Sequence, residues 1–264
     1  MRAAVPFSLK LIESLLAETP KHEKLLLAAS SGFTQFGYAF VKEDADEKQD
    51  IDLAAADAAR TRAKRLFLRA RGYALRGLDL RHPDFAAALR KNPKAAAALA
   101  TKRDVPLLFW TAAAWGSAIS VSKDDPGLIS DQLIVEALLD RALELDETFD
   151  HGAIHSLMIS YEMVRRGMAG DPMVRARRHF DRVIELSKGR VASPYVSLAE
   201  AVSVEKQDKA EFEALLKKAL EVDPDKTPES RLFNILAQRR AKWLLGRKDE
   251  LFLPGPGRKE ENAK

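Results

Sequence analysis

The 264-residue chain contains no cysteine. That absence excludes disulfides, thiolate metal sites, a cysteine nucleophile and a lipid-anchored cysteine in the sequence as given. No signal peptide is visible at the start: Arg2 comes early, Pro6 follows, and Met1–Lys10 holds no long apolar core. A large excess of one charge sign is missing too. Forty-three Lys and Arg face 39 Asp and Glu, a net +4, so no global field draws the chain onto nucleic acid and no such partner is expected. Glycine-rich phosphate loops are missing, since the close pair Gly255 and Gly257 lies near the end. Neither a nucleophile elbow nor a convergent acid, base and nucleophile set appears. The reading is therefore not an enzyme, with no cofactor and no catalytic residue.

Long hydrophobic runs are absent with one near exception, "DVPLLFWTAAAWGSAISVSKDDPG" from Asp104 to Gly127. It carries no charge from Val105 to Val121. A membrane span needs about 20 strongly apolar residues. Here Pro106, Thr111, Gly116, Ser117 and Ser120 dilute the run, and Lys123, Asp124 and Asp125 end it. As a helix it places Leu108, Ala112, Trp115 and Ile119 on one face and Trp110, Ala113, Ser117 and Val121 on another. A helix apolar on more than one face is buried on several sides. The stretch is expected to be the central helix of an all-helical protein, capped by Asp104, with Pro106 tolerated in its first turn. Whether it also walls a ligand site stays open at this point.

What is present everywhere else is the helical period, with no convincing strand alternation. Ser8–Glu18, Lys21–Val41 and an alanine-rich Ala54–Leu78 read as helices, with an acidic patch between the last two from Glu43 to Asp52. Three strings then echo one another: "RALELDETF" from Arg141, "RVIELSKGR" from Arg182 and "KALEVDPDK" from Lys218. Their starts lie 41 and 36 residues apart. A period near ~34 residues with two helices per unit is the mark of tetratricopeptide-type repeats. "SLLAETPKHEKLL" from Ser14 hints at a fourth unit, and the middle of the chain does not fit the period. The fold class expected is all-α: a compact, degenerate tetratricopeptide-repeat-like α-solenoid of about twelve helices. Residues 1–252 form one helical-repeat domain in this reading, irregular in the first half and repeat-like from about residue 130. Residues 253–264, Pro/Gly-rich then charged, are expected to be a flexible tail.

Clusters of charge and aromatics are the remaining candidates. Arg62, Arg65, Arg69 and Arg76 fall on one stripe of a helix, either an anion-binding face or a solvated face paired with the acidic patch. Arg175, Arg177, Arg178 and Arg182 pose the same choice. His151 and His155 stand at a spacing that metal pairs use, but no Glu lies between them and no metal site is expected. Phe33, Phe36, Phe40, Phe109, Trp110, Trp115, Tyr161 and Tyr195 suit a core, or an apolar cavity with a few polar groups.

Several long strings resemble a known family. They are the central helix above, "HGAIHSLMISYE", "GDPMVRARRHFDRVIELSKGRVASPYVSLAEAVSVEKQDKAEFEALLKKALEVDPD" and "RLFNILAQRRAKWLLGRKDELFL", with an opening "SLKLIESLLAETPKHEKLLLAASSGFTQFGYAFV". Together they resemble the TatT family, the T-components of tetratricopeptide-repeat-associated TRAP transporters, over roughly residues 7 to 253. The resemblance implies an all-helical, non-enzymatic periplasmic lipoprotein that assembles as a homotrimer around a pore. It implies a periplasmic substrate-binding protein as partner and an apolar or anionic small ligand. The family carries a signal peptide with a lipidated cysteine, and this sequence shows neither. Either the native N-terminus is missing here or this member is not anchored.

With the resemblance in hand, Trp110, Trp115, His155 and Tyr195 are expected to border a ligand cavity or pore. The alanine-rich "FAAALRKNPKAAAALA" from Phe85 is a candidate oligomer contact, or else a plain buried helix. An alternative function is a peptide-binding adaptor whose groove uses Arg175 and Arg178 on a carboxylate, by analogy of fold alone.

Overall fold

The computed structural model describes residues 4–253, and within them the chain is helical with no strand. The expected tail lies outside the described residues from 254 onward. The chain divides into two compact units, Met1–Phe149 and Asp150–Lys264.

The first unit contains α1 (Ala4–Glu18), α2 (Glu23–Gly37), α3 (Glu43–Lys48), α4 (Leu53–Arg81), α5 (Phe85–Lys91), α6 (Pro93–Ala97), α7 (Val105–Ser120), α8 (Pro126–Ser130) and α9 (Gln132–Leu145). Helix α7 is the uncharged stretch, and ten of its sixteen residues are buried. It packs against α2, α4 and α9, as a helix apolar all round must. Gly37 ends α2 where the Phe67 ring of α4 crosses it: a Cβ there would stand 2.8 Å from Phe67 Cε1.

Two local expectations need correction. The acidic patch does not interrupt α2. A π-helical turn, Tyr38–Lys42, carries the helix straight into α3, and Glu43 and Asp44 become buried. The extra residue of a π-turn re-aims the side chains that follow it. Asp104, in turn, does not cap α7 with its carboxylate. A 3₁₀ turn, Lys102–Asp104, intervenes, and Asp104 Oδ2 accepts from the Thr101 amide (2.8 Å) and hydroxyl (2.9 Å). Its other contacts are Arg81 Nη1 at 2.9 Å and His82 Nε2 at 3.0 Å. Burial alone would push this carboxyl's pKa up. The bonds from Thr101, His82 and Arg81 outweigh it and hold the pKa down at about 2.

The second unit contains most of α10 (Phe149–Glu162), then α11 (Pro172–Ser187), α12 (Ser193–Leu198), α13 (Lys209–Glu221), α14 (Arg231–Gly246) and α15 (Lys248–Leu251). Asp150, His151 and Gly152 break the start of α10 with left-handed backbone. Gly152, at φ +86°, faces Leu186 and Val183 closely enough that only glycine suits both the angle and the space. The echoing strings end α9, α11 and α13, and each is followed by a further helix. Within this unit α11 packs on α12, α12 on α13 and α13 on α14. Polar clips lock the pairs. The side chain of Asn234, fully buried, accepts from Ala192 N (2.9 Å) and donates to Arg190 O (3.0 Å). Gln238 Nε2 serves the last carbonyls of α13, reaching Val222 O at 2.7 Å, where helix ends otherwise leave acceptors orphaned. After α15, Gln207 bonds the backbone on both sides of Phe252, which meets Phe212 edge-on, their centroids 5.0 Å apart.

Replacing Phe67 by Ala removes a fully buried ring and opens a cavity beneath Gly37. The expected loss is about 3–5 kcal/mol of unfolding free energy, read as a lower urea midpoint by circular dichroism. A loss under about 1 kcal/mol would mean that the α2–α4 contact is not tightly packed.

Candidate functional site

The four residues expected to border a cavity divide between the units. Trp110 and Trp115 stand on α7 in the first, His155 on α10 and Tyr195 on α12 in the second. Trp110 is half-buried and meets Phe109 edge-on, their centroids 5.0 Å apart. Trp115 is 1% exposed, and its indole N–H donates to Asp131 at 3.1 Å. Arg71 of α4 and Arg90 of α5 lie over its ring, at 4.4 and 5.7 Å from the centroid.

The arginine stripe on α4 is spent largely inside the unit. Arg69 pairs with Glu13 and covers Phe33 at 5.0 Å. Arg62 covers Phe36, and Arg76 donates to Pro20 O at 2.9 Å. Arg65 remains exposed. The stripe is thus mainly a brace of α4 against α1 and α2, because a guanidinium can stack on a ring and still present donors in its plane.

In the second unit the spacing of His151 and His155 does not become one helix face, since the left-handed segment intervenes. His151 Nε2 turns to Glu229 at 3.6 Å. His155 Nδ1 lies 2.8 Å from His179 Nδ1 of α11, so one ring donates and the other accepts. Glu162, 2% exposed at the end of α10, holds Arg165 at 3.1 Å and Arg175 at 2.5 Å and lies 3.8 Å from His179. Burial, then the charge of His155, lowers the His179 pKa to about 4; Arg165 and Arg175 act the same way and Glu162 opposes them. Tyr195 packs edge-on against Phe180, centroids 5.6 Å apart, and burial raises its phenol pKa.

Of the second basic cluster, Arg175 is committed to Glu162, Arg177 to Glu211 at 2.6 Å and Arg182 to Glu185 at 2.6 Å. Arg178 is exposed and has no side-chain partner among the described residues. It joins Arg177, Lys206, Asp171 and Asp181 around an open groove of about 320 Å³ that Met173, Val174 and Val202 also line. Among the described residues no group of three or more His, Asp or Glu converges for a metal. No helix there is long and apolar enough to cross a membrane.

The model of the TRAP transporter T-component family matches residues 1–252. The chain belongs to that family. A protein of Treponema pallidum (strain Nichols), described as an uncharacterized protein, is 25% identical to it over 254 residues, covering 95% of this chain and 79% of its own length. A T-component is a component of a transporter, and the all-helical architecture agrees with the resemblance that the sequence carries.

The residues missed from the sequence are those whose partners are distant. His179 and Glu162 stood unremarked in "RRHFDRV" and "ISYEMV", yet with His155, Arg165 and Arg175 they build a largely buried polar cluster. A helical-wheel alignment of α10 with α11 would have put His155 and His179 on inward faces, though not in contact.

The His179 shift fixes the sign of a pH effect. Its folded pKa lies below the ordinary 6.5, so the unfolded chain takes the proton first. This contribution to stability is fully present above about pH 6.5 and is lost as the pH falls towards about 4. That window lies above the one in which Asp104 titrates. Thermal melts across this range should fall steeply for the native chain and less so for His179→Gln. Equal slopes would remove His179 as the cause.

Proposed function

We propose that the chain is a non-enzymatic scaffold and ligand-handling subunit of a periplasmic TRAP-type solute uptake system. It works with a periplasmic substrate-binding protein and assembles as a homotrimer. The match of the T-component family over residues 1–252 carries this reading. The multi-sided helix α7 and the repeat-like helix pairs are its structural support. A lipid anchor belongs to a full-length precursor in this proposal.

The ligand-contacting residues enter as two separate pairs, Trp110 with Trp115 in the first unit and His155 with Tyr195 in the second. Trp110 supports the reading best, because its ring is half-buried and its indole N–H has no hydrogen-bond partner among the described residues. Such a group suits the apolar wall of a site that needs one polar contact.

A second reading, a peptide-binding adaptor, is favoured by the groove on α11 with unpartnered Arg178 at its rim. Arg175 does not serve it, since Glu162 holds that guanidinium.

Light scattering on a sizing column should return about three times the 29.3 kDa chain mass. A clean monomer would remove the homotrimer and shift weight to the adaptor. The apolar fluorophore N-phenyl-1-naphthylamine should bind the native chain and lose affinity for Trp110→Ala. Unchanged binding would sink the cavity role of Trp110.

A further inference from the structure

Four elements of the first unit converge on one indole. Trp115 of α7 is buried, Arg71 of α4 and Arg90 of α5 lie over its ring, and Asp131, just before α9, accepts its N–H. Asp131 is the carboxylate these arginines share, and it holds both slackly: Arg71 Nη1 at 4.0 Å and Arg90 Nη1 at 3.4 Å. A committed guanidinium–carboxylate pair closes to roughly 2.7–2.9 Å. Neither arginine has another carboxylate partner among the described residues.

The charge balance is therefore incomplete. Two guanidiniums face one carboxylate, and that carboxylate is already engaged by an indole N–H. The Arg71 side chain is only 20% exposed, and its Nε is buried with no hydrogen-bond partner among the described residues. A buried donor without an acceptor costs free energy and calls for an explanation, often an ion or water. Burial first, and Arg90 second, lower the Arg71 pKa, with Asp131 opposing them. The ring holds both guanidiniums while their in-plane N–H edges stay able to take a planar or tetrahedral oxyanion. Entry is open on one side, since the Arg90 side chain is 58% exposed.

We infer that Arg71 and Arg90, ordered on Trp115, form a binding site for a small oxyanion, a carboxylate or a phosphoryl group. The bound anion supplies the second negative charge and draws the two guanidiniums together beside Asp131. This site shares Trp115 with the ligand contacts proposed above but does not rest on the transport reading: its failure would remove Trp115 from those contacts and leave Trp110 and the T-component assignment as they stand.

The test uses the full chain with Trp110→Phe and Trp243→Phe, which leaves Trp115 as the sole tryptophan of the three. Sodium phosphate and sodium acetate are titrated separately at an ionic strength held constant with sodium chloride. Trp115 emission and the melting temperature are followed. At least one oxyanion should give a saturable emission change and a higher melting temperature than chloride. Whichever anion acts identifies the source of the group, phosphoryl or carboxylate. The same anion should bind at least about tenfold more weakly to Arg90→Gln. Arg90→Lys, which keeps the charge and loses the paired donors, should fall between. The melting temperature in chloride alone reports whether each variant is folded, and the exposed position of Arg90 makes both tolerable. Two results would overturn the site: both oxyanions matching chloride, or Arg90→Gln and Arg90→Lys responding as the native side chain does.

Discussion

A helix with an apolar stripe has nothing within itself to cover that stripe, and nearly every feature of this chain follows from that need. Helix α7 is the extreme case. Apolar on several faces and uncharged over its whole length, it must be sheathed, and α2, α4 and α9 supply the sheath. The same constraint pairs α11 with α12 and α13 with α14 in the second unit, as stacked helix pairs bury what one pair leaves open.

Charge is used inward in both units. Arginine stacks on tryptophan twice, Arg71 and Arg90 on Trp115, and Arg240 and Arg247 on Trp243 at 4.3 and 4.8 Å. Buried carboxylates anchor the networks: Asp104 under Arg81 and His82, and Glu162 under Arg165 and Arg175. Losing one partner of such a network leaves a buried charge uncompensated, which costs far more than a surface pair is worth. A chain with abundant arginine and a near-neutral balance is thus spending much of its charge on its own architecture.

That use of charge explains which sequence signals misled. The arginines of α4 look like an anion face because a one-dimensional stripe does not reveal Glu13, Phe33 or the Pro20 carbonyl from other helices. His151 and His155 look like a pair until Gly152 breaks the helix between them. Arg175 looks available until Glu162 claims it. The informative sites are the ones where a strong local pattern ends in an unfinished interaction, as at Arg71 and Trp110.

Alone, the sequence determined what depends on neighbours along the chain. The helical period, the prolines and glycines that punctuate it, the uncharged run of α7 and the repeated helix endings are all local, and each appears in the fold close to where it was read. The family resemblance belongs there too, being carried by long ordered strings. Tertiary structure alone decided what depends on residues far apart: the His155–His179 contact, the Thr101–Asp104–Arg81 anchor, the division at Phe149 and the shared hold of Asp131 on Trp115, Arg71 and Arg90. The reason is geometric. A helix's own turn sets which side a residue faces, but only the packing of one helix against another sets which residue it meets there.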